Sequence, residues 1–510
     1  PRMQRLARIA LLLLGALALS SALPLSQDIQ AHVTALDDYV NKPDATYKWE
    51  DTGLVIDLPV KDLGLAKGHV LNMTSQTWLS KDVVDCDVWW HYLVIVVPDK
   101  VKAADKPLLW ITGGDNNKGP PQKIGDLGDG AIAAAVALTT GRVTAALLQI
   151  PNQPCHFTAE HPPQGRHEDG LIAYTWKHFL DNPNEPEYLL RLPMTKAVVR
   201  AMDTMEEYIN QTMNTEVKGF VVSGASKRGW TTWTTGAVCG SRCLAIAPVV
   251  MDLLNLKKNV HHIYQAFGGW TFAFDDYYKL NLTKNFDVPA FDQMAAIIDP
   301  FSYLDRYVNM PKLIVSTSDD EFFLPDDSHY YFANMTGESH MLVLRNAEHS
   351  CATGVPELIP AYGAWYLSIV EGGTRPSFTQ SMDPTTGAIT VTTSDKPTKV
   401  VLRHAHTPKD SPRRDFRWVR ADVNCTTVKV GPGCLQPILW TGKDLHPVKT
   451  DGNSETYVGH MDAPKSGWAS PHPLCLRFHT LCAPASIPLM ITPLPHVVTE
   501  QLQGGFFVEL

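Results

Sequence analysis

The chain has 510 residues, so at the usual size of about 150 residues per domain it is expected to contain more than one domain. Hydrophobic residues make up 44% of the chain and charged residues 19%, which is the composition of a globular protein with a large core. The net charge of −9, with no Lys/Arg block interleaved with aromatic residues, argues against nucleic acid and anionic membranes as partners.

The N-terminus has the pattern of a secretory signal peptide. Arg5 and Arg8 precede an apolar run over residues 9–19, and Ser20 and Ala22 supply small side chains before a cleavage site. The run is too short to span a membrane. We therefore predict a signal peptide over residues 1–22, a secreted or endomembrane-lumen protein, and no membrane association after cleavage. A retained membrane anchor is the alternative.

Short apolar runs alternate with helical periodicity from residue 92 to residue 370. The predicted strands cover residues 92–97, 108–112, 143–150, 219–222, 244–250, 312–317 and 341–345. The predicted helices cover residues 171–179, 195–210, 231–238, 328–332 and 356–370. Strands that alternate with helices indicate a mainly parallel sheet in an α/β domain. We assign residues 27–375 to this domain, although residues 27–90 show only weak periodicity.

Two regions depart from this alternation. Residues 253–310 are rich in aromatic and amide side chains and lack strand alternation, which predicts an inserted helical cap. The cap aromatics, such as Phe274 and Tyr277, are interpreted as packing rather than as a cage for substrate. After Gly373 the chain has short β-rich runs, frequent proline and no helical periodicity, so residues 376–510 are predicted to form a separate β-sandwich-like domain.

Sequons and cysteines support an oxidising, extracellular compartment. Candidate glycosylation sites are Asn72, Asn210, Asn281, Asn334 and Asn424. The nine cysteines imply disulfides with at least one thiol free or paired between chains. Plausible local pairs are Cys425 with Cys434 and Cys475 with Cys482. Cys239 and Cys243 lack the partners and the spacing of a zinc site, so we predict no metal and no cofactor.

The stretch from Gly224 to Trp230, Gly-Ala-Ser-Lys-Arg-Gly-Trp, follows a buried strand and precedes a helix. A serine at a sharp strand-to-helix turn is typical of the nucleophile elbow of an α/β-hydrolase. Gly224 supplies the small residue that the turn needs before Ser226. The match to G-x-S-x-G is imperfect, because Arg228 stands at the second position after the serine and Gly229 follows it. A simple glycine-rich turn is the alternative.

An acid and a histidine follow in the chain order that this fold uses for its catalytic residues. A predicted strand runs into Asp319, Asp320 and Glu321, and the next strand is followed by His349. Acids at the ends of parallel strands lie at the edge where open α/β sheets carry their chemistry. Each residue alone could be an ordinary turn or capping residue. The three features together, each at a strand end and in this order, indicate a Ser–acid–His set for acyl transfer.

Further site residues follow from the same mechanism. The backbone N–H of Lys227 and a backbone N–H at Gly114 are the predicted oxyanion donors. Arg228 has two interpretations, a structural ion pair beneath the elbow, which we favour, or a guanidinium that binds a substrate carboxylate. Glu168 and Asp169 either complement the dipole at a helix N-terminus or capture the amino terminus of a substrate.

Many separate blocks of the sequence, in order, resemble the PhoPQ-activated pathogenicity-related protein family, whose eukaryotic branch includes the secreted autocrine proliferation repressor A proteins. The blocks are residues 89–91, 113–114, 149–153, 168–174, 193–196, 201–203, 224–230, 299–300, 311–312, 322–326 and 414–417. The resemblance covers roughly residues 40–420. It implies an α/β-hydrolase core with Ser226, Asp320 and His349 at the catalytic positions, and so prefers Asp320 to its acidic neighbours. Asp319 and Glu321 are then expected to face solvent or a turn.

Two classes of function remain open at this stage. The first is a secreted serine hydrolase, peptidase-like or esterase-like, acting on a small-molecule or peptide substrate. The second is a secreted signalling protein, similar to the proliferation repressors, that uses the hydrolase fold as a scaffold and binds a cell-surface receptor. The intact Ser–Asp–His set favours the first class, because a protein that no longer catalyses a reaction is free to lose these residues.

Overall fold

The structure, a computed structural model, describes residues 33–383, 386–409, 411–420, 429–430, 433–436, 438–461, 466, 469–479 and 488–491. The chain divides into two compact units, Pro1–Thr34 and Ala35–Leu510, and every element described here belongs to the second unit. The predicted signal peptide lies outside the described residues and stays a prediction. No described helix is long and apolar enough to cross a membrane.

The helices and the strands of the core alternate along the chain. The helices are α1 Ala35–Asn41, α2 Ala131–Thr140, α3 Glu168–Asp181, α4 Arg191–Met213, α5 Lys227–Val238, α6 Leu256–Phe267, α7 Asp275–Lys279, α8 Pro289–Ile298 and α9 Val355–Val370. The core strands are β1 Lys48–Val60, β2 Gly64–Thr77, β3 Val88–Pro98, β4 Ala103–Ile111, β5 Arg142–Leu147, β6 Phe220–Ala225, β7 Cys243–Val249, β8 Lys312–Thr317 and β9 Ser339–Leu344.

In the described part of the chain, these core strands form one nine-stranded sheet in the order β1-β2-β3-β5-β4-β6-β7-β8-β9. The pairs from β5 through β9 are parallel, and β1, β2 and β3 add antiparallel pairs at one edge. This is an α/β-hydrolase fold, as predicted. The parallel arrangement brings the ends of β6, β8 and β9, which precede Ser226, Asp320 and His349, to the same edge of the sheet.

The central sheet is buried on both faces. Along β4, Leu109 and Ile111 join one hydrophobic cluster, while Leu108 and Trp110 join the other. The first cluster includes residues of α3, α4 and the cap, and the second includes residues of α2 and α9. Because both faces are covered, the parallel strands are near-continuous apolar runs, which is why the sequence predicted them.

The region between β7 and β8 is helical, as expected for a cap. It contains α6, α7 and α8 joined by short 3₁₀ turns. Phe274, Phe286 and Phe291 of this region are buried and join the cluster on the α3–α4 side of the sheet. The same region supplies part of the wall of the cavity at Ser226, as described below.

The hairpin of β1 and β2 was not predicted. Its two strands pair antiparallel from Lys48 with Thr74 to Val60 with Gly64. The first half of β1 is largely exposed, with polar side chains on both faces, so the alternation that marks a half-buried strand is absent there. The hairpin turn contains Asp62 at φ 63°, a residue type that tolerates this conformation.

The C-terminal region is built from strands alone in its described part. These strands are β10 Phe378–Met382, β11 Ile389–Thr393, β12 Lys399–His406, β13 Val419–Arg420, β14 Lys429–Val430, β15 Gly433–Leu435, β16 Thr441–Leu445, β17 Lys449–Asp451, β18 Ser454–Gly459, β19 Ala469–His479 and β20 Pro488–Ile491. They form antiparallel sheets in the orders β10-β11-β18-β17, β16-β12-β19-β20 and β13-β15-β14.

The first two of these sheets share a hydrophobic core, as in a β-sandwich. Ile389 and Val391 of one sheet cluster with Val400 and Leu402 of the other. No strand of this region joins the central sheet within the described residues. The fold class is therefore as predicted, whereas the limit between residues 375 and 376 stays a prediction.

Two disulfides, Cys86–Cys155 and Cys239–Cys243, lie within the described residues. Cys434 is also disulfide-bonded, and Cys351 is a buried free thiol. The proposed pairs Cys425–Cys434 and Cys475–Cys482 each have one member outside the described residues and stay predictions.

The sequons vary in accessibility. Asn210, Asn281 and Asn334 are exposed, and Asn72 is partly exposed. The Asn72 amide donates a hydrogen bond to the Glu50 carboxylate at 3.1 Å. Asn424 lies outside the described residues, and glycosylation of all five sequons stays a prediction.

Candidate active site

Ser226 occupies a sharp turn between β6 and α5, with φ 57° and ψ −124°. This conformation is strained for a residue other than glycine. A Cβ at Gly224 would lie 2.9 Å from the Ile111 carbonyl oxygen, and one at Gly229 would lie 2.8 Å from the Val249 carbonyl oxygen. Both glycines are therefore needed for close packing against β4 and β7. Glycine stands one position later than in G-x-S-x-G because position 229 is the one that contacts β7.

The structure brings Ser226, His349 and Asp320 together. The Ser226 Oγ lies 2.8 Å from Nε2 of His349. Nδ1 of the same ring lies 2.9 Å from each carboxylate oxygen of Asp320. The histidine is partly covered by two aromatic rings, Phe322 and Phe323, whose centroids lie 4.4 Å and 5.6 Å from that of the imidazole. This order of contacts is the one that activates a serine hydroxyl.

The hydrogen bonds of Asp320 fix the tautomer of His349. Oδ1 of Asp320 also accepts the backbone N–H groups of Phe322 at 2.7 Å and Phe323 at 3.1 Å, and Oδ2 accepts the Thr317 hydroxyl at 3.1 Å. An acceptor-only carboxylate is ionised, so Nδ1–H donates to it and Nε2 is left to accept the serine proton. Burial lowers the pKa of His349, but the charge and hydrogen bond of Asp320 outweigh burial and raise that pKa above its ordinary value.

The acids on either side of Asp320 are buried, so the expectation that they face solvent is wrong, whereas Asp319 does lie in a turn and Glu321 does face one. Asp319 is 0% exposed and Glu321 is 4% exposed. Asp319 accepts hydrogen bonds from Nε1 of Trp440 at 3.0 Å and from the Ser318 hydroxyl at 2.6 Å, and Glu321 accepts one from the backbone N–H of His349 at 3.2 Å. Burial raises the pKa of Asp319 to about 8 and that of Glu321 to about 7.

The loop over residues 318–327, which carries Asp320, is held by the C-terminal region. The backbone N–H of Trp418 donates to the Asp319 carbonyl oxygen at 3.2 Å. Nη2 of Arg414 donates to Oδ2 of Asp326, whose side chain is completely buried. The C-terminal region therefore covers this loop, and the turn that carries the three consecutive acids is buried rather than exposed.

The two predicted oxyanion donors lie on different cavities. Lys227 is the first residue of α5, where backbone N–H groups have no partner within the helix, and it lines the same cavity as Ser226. Gly114, at φ 139°, follows β4 and lines a neighbouring cavity with Arg228 and Glu168. Among the described residues, the lining of the Ser226 cavity does not include Gly114. Both assignments stay predictions.

Arg228 and the two acids of α3 form one ion-pair network with Lys227. Nη2 of Arg228 donates to Oε1 of Glu168, and Nζ of Lys227 lies 3.1 Å from Oε2 of Glu168 and 2.9 Å from Oδ2 of Asp169. Burial raises the pKa of Glu168, but the charges of Arg228 and Lys227 outweigh burial and lower it to about 2. Each carboxylate already has a cationic partner. The arrangement therefore favours a structural ion pair for Arg228 over binding of a substrate carboxylate, and it leaves Glu168 and Asp169 engaged with cations rather than open to a substrate amine.

The cavity at Ser226 has a free volume of about 40 Å³, with walls from α3, the elbow, the cap and the loop over residues 318–327. Apolar side chains dominate the lining and include Ile172, Trp176, Met251, Leu253, Phe274 and Phe286. Phe274 and Tyr277 of the cap are buried in the hydrophobic core, as predicted, and they also line this cavity. An apolar lining with a few polar groups is typical of a small-molecule site.

Arg191 also lines this cavity and was not predicted from the sequence. Its only signal was a charged residue between Leu190 and Leu192 in an apolar stretch. Nη1 donates to the Lys227 carbonyl oxygen and, at 2.9 Å, to the Thr231 hydroxyl, so Arg191 lies directly beside the elbow.

A cluster with the geometry to hold a cation lies at the end of the loop over residues 318–327. His262, Asp326 and Asp327 each offer a ligand atom, and these atoms all lie within 4.8 Å of one another. Burial raises the pKa of Asp326, but the charges of Arg414 and His262 outweigh burial and lower it; burial raises the pKa of Asp327. The Arg414 guanidinium already supplies the positive charge at this cluster, and a metal ion would have to displace it.

The sequence pattern of PhoPQ-activated pathogenicity-related proteins matches residues 36–417, which include every strand of the central sheet. The chain belongs to this family. Within the PhoPQ-related match lie all three residues at the candidate catalytic positions and the Arg414–Asp326 pair. The match ends shortly before β13, so most of the C-terminal strands lie beyond it.

This family member also has a curated relative and solved structural neighbours. It is 38% identical over 444 residues to "Autocrine proliferation repressor protein A" of Dictyostelium discoideum, covering 85% of this chain and 84% of that protein. Acetyl xylan esterase 1 from a Thermoanaerobacterium species has a TM-score of 0.40 at 13% identity, covering 63% of this chain and 90% of that chain. Acylaminoacyl peptidase of Pyrococcus horikoshii has a TM-score of 0.38 at 10% identity, covering 60% of this chain and 41% of that chain.

Proposed function

We propose that this chain is a serine hydrolase that transfers acyl groups through Ser226, His349 and Asp320. The observation that carries the proposal is the pair of contacts made by His349, at 2.8 Å to the serine Oγ and 2.9 Å to the aspartate. The hydrolase fold, the helical cap and the apolar lining of the cavity at Ser226 support an ester or peptide substrate. No cofactor is needed for this chemistry.

Acyl transfer then follows from the geometry in two steps. His349 takes the Ser226 proton as Oγ attacks the substrate carbonyl, and Asp320 stabilises the imidazolium that forms. The backbone N–H of Lys227, with a second donor at Gly114, stabilises the oxyanion. The leaving group accepts the proton from His349 and departs. Water then attacks the acyl-enzyme by the same route and releases the acid.

We also propose that the protein is secreted and glycosylated. The disulfides Cys86–Cys155 and Cys239–Cys243 are typical of an oxidising compartment. The pattern over residues 1–22 and the exposed sequons, such as Asn210, support the same compartment. Cleavage at the predicted site and a mass decrease on treatment with an N-glycosidase would be the expected results for protein secreted by a eukaryotic host.

Labelling with a fluorophosphonate probe tests the nucleophile. Wild-type protein is expected to be labelled and Ser226→Ala not, because the probe reacts only with an activated serine. Ser302→Ala, which removes an exposed serine of the cap, serves as the matched control and is expected to label like wild type. Equal labelling of wild type and Ser226→Ala would remove Ser226 from the mechanism.

The second candidate is a signalling protein that binds a cell-surface receptor through the same fold. The name of its 38%-identical relative, a proliferation repressor, supports this candidate. A growth assay with purified wild type and Ser226→Ala separates the two. If Ser226→Ala still represses growth, the scaffold function is supported. If repression is lost in Ser226→Ala, the signalling effect depends on hydrolase activity.

A further inference from the structure

Arg191 is a buried cation whose charge no acid neutralises directly. It is 3% exposed, and within the described residues its guanidinium forms no ion pair and its Nε has no hydrogen-bond partner. Nη1 is used by the Lys227 carbonyl and the Thr231 hydroxyl, and the guanidinium carbon lies 4.7 Å from the centre of the Trp230 ring. These contacts brace α5 against α4, but they supply no negative charge.

Asp169, an acid whose charge acts on Arg191, is already engaged elsewhere. Asp169 lies 2.9 Å from Nζ of Lys227 and accepts the Tyr277 hydroxyl at 3.1 Å. Burial lowers the pKa of Arg191 to about 9, so the guanidinium still carries its charge at neutral pH. Buried charges in proteins are normally paired, because an unpaired one has lost its water without compensation. The missing partner of Arg191 is therefore expected to be something that enters the cavity.

The lining of the cavity indicates the chemistry of that partner. Arg191 and Ser226 line the same space, and Arg191 bonds the carbonyl oxygen of the residue next to the nucleophile. The other walls are mainly apolar, with Trp176, Leu253 and Phe286 among them. A guanidinium binds a carboxylate through parallel hydrogen bonds, and Nε is one of the groups that such a fork uses. A cavity directly beside the nucleophile suits the acyl part of a substrate, which stays on the serine between the two steps.

We propose that the cavity takes an acyl group with an apolar body and a carboxylate, and that Arg191 binds this carboxylate. The substrate class is a monoester of a dicarboxylic acid. The inference rests on the proposed hydrolase function and names its substrate. Ser226 displaces the alcohol, which leaves with the proton from His349, and water then releases the dicarboxylic acid. Arg191 thus takes the anion-binding role that the sequence analysis considered for Arg228.

The test compares two esters of equal chain length, p-nitrophenyl hydrogen adipate and p-nitrophenyl hexanoate, which differ by one carboxylate. Wild type is expected to prefer the adipate ester, mainly through a lower KM. Arg191→Gln keeps a side-chain donor for the brace and is expected to lower kcat/KM for the adipate ester by roughly 30-fold more than for the hexanoate ester, since truncating one partner of a buried charge pair has a large effect.

Arg200→Gln on the same helix is the matched control, because Arg200 pairs with Asp203 outside the cavity. It is expected to leave the ratio of the two esters unchanged. If Arg191 only braces α5, then Arg191→Gln will lower kcat/KM for both esters by the same factor. That result, or a wild-type preference for the hexanoate ester, would overturn the proposal.

A binding measurement separates this proposal from the hydrolase function on which it rests. Monoethyl adipate is expected to raise the Tm of Ser226→Ala, while ethyl hexanoate of the same length raises it less. The double variant Ser226→Ala/Arg191→Gln should lose the difference. Absence of both turnover and fluorophosphonate labelling would contradict the hydrolase function but not the anion site. Equal Tm shifts of Ser226→Ala with the two esters would contradict the anion site.

Discussion

Three consecutive acids, Asp319, Asp320 and Glu321, share one loop but have three different environments. Asp320 accepts backbone and hydroxyl hydrogen bonds in addition to the His349 ring. Asp319 contacts the C-terminal region, and Glu321 contacts only the backbone N–H of His349 through one oxygen, since its other oxygen has no described partner. The assignment of the orienting acid is therefore decided by donors around each carboxylate rather than by position in the chain.

Asp320→Asn is expected to reduce turnover by roughly three to four orders of magnitude, as neutralising a triad acid does. The amide can donate to the imidazole and favour the wrong tautomer. Steady-state kinetics with a p-nitrophenyl ester measure the loss, and circular dichroism checks the fold. Glu321→Gln is the matched control and is expected to cost far less. A larger loss in Glu321→Gln than in Asp320→Asn would reassign the acid.

The pH dependence of kcat/KM is expected to follow His349, which must be neutral to act as a base. Because Asp320 raises the pKa of His349, activity should increase with pH through a midpoint above the ordinary histidine value of about 6.5. In Asp320→Asn the residual activity should have its midpoint at lower pH. A midpoint that does not move between the two proteins would argue against the contact.

Asp319 is expected to affect the stability of the protein rather than its turnover. Its pKa is about 8 in the folded state against an ordinary value near 4, so between these values the native state holds the extra proton and stability falls as pH rises. Asp319→Asn should flatten this dependence by up to about 1.4 kcal/mol per pH unit. Urea unfolding from pH 5 to 8 measures it, with the exposed Asp181→Asn as control.

The order serine, acid, histidine could be predicted from the sequence because each residue directly follows a strongly apolar strand. What could not be predicted is burial that arises from distant residues. Trp440 covers Asp319 from more than a hundred positions along the chain, and no local pattern carries that information. Arg191 was missed for a related reason, since the lack of a hydrogen-bond partner for its Nε is visible only once the side chains around it are placed.

At the scale of elements, the loop after β8 connects the central sheet with the C-terminal region through hydrogen bonds. Arg414 pairs with the buried Asp326, and Trp418 and Trp440 donate hydrogen bonds to Asp319. Strands with two buried faces, such as β4 and β6, were predicted easily because they are continuous apolar runs. The exposed β1 was missed because its half-solvated surface breaks that pattern.

Arg414→Met is expected to destabilise the protein by about 3–5 kcal/mol, since it leaves the Asp326 carboxylate buried without its cation. The double variant Arg414→Met/Asp326→Asn should recover part of this loss by removing the stranded charge. Free energies of unfolding in urea complete the cycle. An equal effect of Asp326→Asn in wild type and in Arg414→Met would show that the pair is not coupled.

At the scale of the whole molecule, the disulfides stabilise the fold to different extents. Cys86–Cys155 joins residues 69 positions apart, whereas Cys239–Cys243 joins residues only 4 apart. The first bridge fixes the start of β3 to the loop that follows β5, two segments that the unfolded chain would hold far apart. The second closes a single turn after α5.

Replacing Cys86 and Cys155 with alanine should lower the free energy of unfolding by about 4 kcal/mol, against about 2 kcal/mol for Cys239 and Cys243, because the longer loop restricts the unfolded chain more. Chemical unfolding under non-reducing conditions gives both values. The chain-entropy argument fails here if the short bridge contributes as much as the long one.

The contacts of the acid loop with the C-terminal strands have a consequence for biosynthesis. Ser226 and His349 leave the ribosome well before Arg414, Trp418 and Trp440, which hold the loop that carries Asp320. A nascent chain therefore contains the serine, the histidine and the local hydrogen bonds of Asp320 before the contacts that cover the rest of this loop can form. The loop is sealed only when residues well beyond the central sheet have been made.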